Sequence, residues 1–134
     1  PLGVLKSDRV LLLSRLQSNL REICDILRHR SRILVVTTIL PPDHPPLYRR
    51  FAWDPETLAQ IDVANALIRT IAGADGVAVL DAHGLLTDRD SFLSPEFRTP
   101  GSFLHVNERA YEKLTRGLEK LLSLQGASVP GSGA

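Results

Sequence analysis

Methionine is absent from the 134 residues, cysteine and tryptophan occur once each, and aromatic residues make up only 5%. A single cysteine, Cys24, excludes an intramolecular disulfide and hence a stapled secreted scaffold, so a reduced intracellular compartment, cytoplasmic or nuclear, is expected. No apolar run approaches the ~20 residues that span a bilayer, and no secretory leader is visible, so no membrane partner is expected. The formal charge of +1 gives no bulk attraction for polyanions; binding of nucleic acid would need a local patch. No cofactor and no metal centre are expected. Without methionine, residue 1 is no translation start, and "PLG" resembles the scar of a removed tag. Residues 1–6 therefore read as a linker, 7–124 as a single α/β domain and 125–134 as a flexible tail, the whole being a piece of something longer.

What is present is amphipathic and alternating. In "SDRVLLLSRLQSNLREICDILRHR", Leu13, Leu16, Leu20, Ile23 and Leu27 recur at three- and four-residue steps, with Cys24 beside them. That predicts a helix with one apolar stripe, Ser7 or Asp8 offering the N-cap oxygen. "RILVVTTIL" follows, a β-branched run of the kind that is covered on both faces in a parallel sheet. Residues 41–55 are proline-rich and carry Tyr48, Phe51 and Trp53, which predicts a long irregular loop. A second helix is expected from Pro55 to Gly73, with Leu58, Ile61, Ala64, Leu67, Ile68 and Ile71 as its stripe. "GVAVLDAHGLL" reads as a second buried strand. A last helix is expected from about Asn107 to Leu124, with Tyr111, Leu114, Leu118, Leu121 and Leu122 facing inward.

The order helix, strand, helix, strand, helix predicts parallel strands with right-handed crossovers. Stable sheets usually have three strands or more, so the half-sheet wants a further strand, from "PLGVL" or another chain. The expected fold is α/β, a three-layer flavodoxin-like or SGNH-like arrangement with an incomplete parallel sheet.

From residue 8 to 124 the chain resembles the C-terminal half of an SGNH (GDSL-type) hydrolase. The resemblance rests on the helix running into "ILVVTTILPP", on Asn65 in "VANALI", on the strand ending "LDAHGLL", and on "LHVNERAYEKL". The last piece is similar to the family's final block, in which an Asp and, three residues later, a His precede an Asn and a helix. By position His105 matches the catalytic base, and Ser102 stands where the orienting Asp belongs. No Gly-Asp-Ser nucleophile block occurs anywhere in the chain. The resemblance therefore implies the fold more strongly than the activity, and related domains without catalysis bind RNA.

Each candidate residue also has an ordinary structural reading. A histidine near a helix start commonly satisfies a backbone group, and a base without a nucleophile performs no acyl transfer. Asp81 and Asp90, on neighbouring loops, are the other candidate acids to orient His105. Ser102 is a formal nucleophile, but nothing places it on a strained elbow. Asp81 and His83 sit at the end of a parallel strand, where ligands gather, and could pair with His105 on a metal; loop hydrogen bonding is the simpler account. Arg28, Arg30 and Arg32 complement the first helix's dipole, and with Arg49 and Arg50 they form a candidate patch for RNA phosphates. Trp53 in its loop suits a packed lid or an interface. The leading expectation is a non-catalytic module that self-associates or binds a protein partner through Leu13, Leu16, Leu20 and Trp53. RNA binding and an esterase completed from outside the chain are the alternatives.

Overall fold

The computed structural model describes residues 6–74, 76–102 and 105–126, without the side chains of Lys6, Ser7, Tyr48, Arg49 and Ala52. The expected scar, a strand from "PLGVL", most of the tail, and the side chain of Arg49 lie outside the described residues. Four α-helices and two strands are present among them: α1 (Lys6–Arg28), β1 (Val35–Thr37), α2 (Thr57–Ala74), β2 (Ala78–Leu80), α3 (Ala82–Leu86) and α4 (Glu108–Leu124). The fold is mixed α/β with a small parallel sheet in which β1 pairs with β2. The chain separates into two compact units. One holds the residues up to Ile39 and Pro45–Val79, and the other holds Leu40–His44 and the residues from Leu80 onward.

In the first unit α1 packs against α2, and α2 against β1. Its core gathers Cys24, Ala72 and Val77, with Leu20, Leu34, Val36 and Val79 packed around them. The α2 stripe follows its prediction: Ala64, Ile68 and Ile71 are buried, as is Asn65. Asn65 replaces the strand ladder just beyond β1. Its Oδ1 accepts the Ile39 N–H at 2.7 Å and its Nδ2 donates to the Ile39 carbonyl at 3.3 Å. A buried amide thus satisfies both backbone groups of Ile39 just beyond β1. Arg9 ties α1 to the approach of α2, its guanidinium pairing with Asp54 at 2.7 Å and with Glu56.

Several expectations need correction. α1 starts at Lys6, so Ser7 and Asp8 lie inside its first turn rather than ahead of it, and Asp8 there complements the helix dipole. Ile23 and Leu27, expected inward, are exposed. "RILVVTTIL" yields only three strand residues, since Asn65 takes over the pairing at Ile39. The proline-rich loop contains a 3-10 helix, Leu47–Ala52. "GVAVLDAHGLL" is not one strand: Asp81 ends the strand by accepting the Gly84 N–H at 3.2 Å, which starts α3. Tyr111 is 62% exposed rather than inward.

The second unit has its own core of Leu86, Leu93, Phe97 and Ala110, with Leu40, Leu85, Val106 and Leu114 against it. α4 packs on α3 and on the 3-10 helix Pro95–Phe97. Gly117 lets α4 come close, because a Cβ there would lie 2.8 Å from a methyl of Leu85 and 3.2 Å from one of Leu80. The Leu40–His44 segment joins this unit. The Leu93 N–H donates to the Pro42 carbonyl at 2.8 Å, His44 stacks on Phe92 with centroids 3.9 Å apart, and Asp43 pairs with Arg98.

Leu86 is fully buried at the centre of this second core. Leu86→Ala is expected to destabilise the chain by about 2–5 kcal/mol, the range for a large cavity-forming truncation. A denaturant titration showing less than about 1 kcal/mol would place the core elsewhere.

Candidate functional site

The site is built at the entrance of α4. Residues 97–98 and 106–107 lie antiparallel: Arg98 bridges Val106, and the Asn107 N–H donates to the Phe97 carbonyl at 3.0 Å. Asn107 then caps α4, its Oδ1 accepting the Ala110 N–H at 3.2 Å. Its Nδ2 donates to two more carbonyls, Glu96 at 2.8 Å and Arg98 at 3.0 Å. One amide therefore uses both of its N–H groups and its oxygen, and the chain two residues upstream is held between the Pro95–Phe97 turn and the helix.

His105 sits in that short upstream segment with its side chain exposed. Ser102 Oγ lies 2.7 Å from His105 Nδ1 and also accepts the His105 backbone N–H at 3.1 Å. A hydroxyl has two lone pairs, so it can accept both N–H groups at once. In the tautomer that donates from Nδ1 to this hydroxyl, Nε2 carries the free lone pair; in the other, the hydroxyl donates to Nδ1. The partner at Nδ1 is thus Ser102, and neither Asp81 nor Asp90 holds that place. Ser102 contacts Nδ1, so it does not face Nε2 as a nucleophile would.

The other candidates are placed as follows. Asp81 caps α3 and His83 is buried within it, its carbonyl accepting from the Thr87 hydroxyl at 2.6 Å. Among the described residues no three His, Cys, Asp or Glu side chains cluster as a metal site. Arg28 pairs with Asp25 at 2.9 Å, one turn back on α1, while Arg30, Arg32 and Arg50 are exposed. Leu13, Leu16 and Trp53 are half-buried, and Leu20 is packed in the first core. No helix among the described residues is long and apolar enough to cross a membrane. Ser102 had already stood out in sequence, as a departure from an expected Asp; its hydroxyl contact could not be read there.

The profile of the GDSL-like lipase/acylhydrolase family matches residues 7–113. The fold is similar to that of a protein of Streptococcus pneumonia described as a platelet activating factor, with 21% identity and a TM-score of 0.68. It is also similar to a GDSL-like lipase of Bacteroides thetaiotaomicron, with 15% identity and a TM-score of 0.63. These alignments cover 82% and 81% of this chain, which spans about half (51%) of each of those proteins. No curated protein sequence matches the chain.

Removing the Asn107 amide deletes three side-chain hydrogen bonds, one of them the helix cap. Asn107→Ala is expected to cost about 2–3 kcal/mol, at or above the usual loss for a cap alone. Asn107→Asp keeps the cap but loses the two Nδ2 donations, so its loss should persist in part. An alanine variant as stable as the parent in urea unfolding would show that the amide holds nothing.

Proposed function

The chain belongs to the GDSL-like lipase/acylhydrolase family, and from that premise we propose that it supplies the histidine half of an acyl-ester hydrolase site. The observation that carries this reading is the Ser102 hydroxyl at His105 Nδ1, in the position of the family's orienting acid. His105 is the general base. Its Nε2 takes the proton of a serine hydroxyl as the serine oxygen bonds to the ester carbonyl carbon and the carbonyl electron pair moves onto oxygen. When that intermediate collapses, the bond to the alcohol oxygen breaks and the proton on Nε2 passes to the leaving alcohol. Water then repeats the cycle and releases the acid.

The nucleophilic serine and the oxyanion donors are not contributed by these residues, since the sequence holds no Gly-Asp-Ser block. In this reading they come from polypeptide outside the 134 residues, and hydrolysis belongs to the completed fold. Ser102 orients the imidazole but offers no negative charge to the imidazolium formed during proton transfer, so turnover is slower than with a carboxylate there. A second reading, a non-catalytic interaction module, is favoured by the exposed apolar residues Val10, Leu11, Leu12, Ile23 and Ile26 of α1.

Two measurements separate the readings. The 134-residue chain alone should not hydrolyse short p-nitrophenyl esters above buffer, whereas the full natural polypeptide should, losing at least about a thousandfold in kcat on His105→Ala. Nitrogen-15 NMR of the chain should show His105 protonated at Nδ1, shifting toward Nε2 protonation in Ser102→Ala. Full-length turnover indifferent to His105→Ala, or an Nε2-protonated parent, would remove the hydrolase reading.

A further inference from the structure

We propose that α1 is a dimerisation helix, along whose outward apolar seam a second copy of this chain docks antiparallel. The proposal rests on the interaction-module reading and names its surface. On its inner side α1 buries Cys24 and packs Leu20 into the first core. On the flank, Leu12, Ile23 and Ile26 are 55%, 51% and 50% exposed. With Leu16 and Asn19 they recur at steps of four, three, four and three residues, the a and d positions of a heptad. The inward Leu13 and Leu20 fall at e. A surface helix packing only on its own domain needs one stripe. This one carries a coiled-coil seam beside it.

The charges choose the orientation. Arg15 and Glu22, both exposed, occupy the g positions. In an antiparallel pair g faces g, so Arg15 meets the partner's Glu22, and the two-fold axis repeats the contact. In a parallel pair g faces e, which is leucine here, and the charges have no partner. The antiparallel register sets Leu12 against the partner's Ile23 and Leu16 against the partner's Asn19. A polar residue in such a seam fixes register at some cost in stability. Beside the seam lies a groove of about 250 Å³ lined in part by Leu12, Leu16, Ile39 and Ile61, an apolar floor for incoming side chains. The preceding a position is Arg9, opposite the partner's Ile26 in this register, and its guanidinium is held by Asp54 and Glu56.

Sedimentation equilibrium from low micromolar to submillimolar concentration tests this. The parent should reach twice the chain mass. Ile23→Glu should be monomeric with unchanged helix content by circular dichroism. Glu22→Arg should weaken the dimer by about tenfold or more, through two repulsive Arg pairs, and adding Arg15→Glu should restore it. A parent that stays monomeric overturns the seam and leaves the interaction-module reading only a different protein as partner. A dimer indifferent to Ile23→Glu and to the charge exchange overturns the seam alone, leaving self-association through another face.

Discussion

One side-chain amide organises the second unit. Asn107 caps α4, donates to two carbonyls of the 96–98 segment, and receives its own backbone support from Phe97. A cap that only closed a helix would leave the preceding chain free to splay. A cap that also grips the facing strand fixes the direction in which residues 105 and 106 run, since both ends of that short stretch are tied. The geometry at His105 is therefore inherited from Asn107, and Ser102 adds only the last orientation, about the imidazole ring. Alanine at either end of this chain of dependence would have different consequences, one for the fold and the other for the tautomer.

The exchange of a carboxylate for a hydroxyl at residue 102 separates two roles that an acid combines. An acid beside Nδ1 selects the tautomer and also stabilises the positive ring that forms when Nε2 takes a proton. A hydroxyl accepting from Nδ1 keeps the first role and gives up most of the second. It also accepts the backbone N–H of His105, a contact that needs no chemistry at the site. This is why the same contact suits both a slow hydrolase and a domain that keeps the fold while acting through its surface.

Much of the fold was legible in the sequence, and the failures have physical causes. The three long helices follow apolar periodicity, and the α4 cap follows from an asparagine before a charged first turn. The strands were overread because continuous apolar runs look alike whether the ladder continues or not. At Ile39 the ladder is replaced by Asn65, a residue 26 positions away. At Asp81 a side chain accepts a backbone N–H and turns "DAHGLL" into a helix. Both are tertiary or capping hydrogen bonds with no periodic signature. The site was half legible: His105 and Ser102 could be named by resemblance, but not their 2.7 Å contact. Tyr111 fell on the apolar side of the α4 pattern and is nonetheless exposed, because a phenol tolerates a wet edge that leucine does not.

In α1 the apolar stripe divides in two. Its apolar residues span e, a and d, a sector wider than the stripe a surface helix lays on its own domain. Sequence periodicity reports that width but not how it is divided. The division is made by α2 and the residues around Cys24, which take Leu20 and leave Ile23 to solvent. Leu12, Ile23 and Ile26 are each about half exposed and are not among the residues gathered in the first unit's core. Large aliphatic side chains kept at half exposure cost solubility without adding internal packing. α1 thus lays one part of its apolar sector on its own unit and leaves Leu12, Ile23 and Ile26 half exposed, flanked by Arg15 and Glu22.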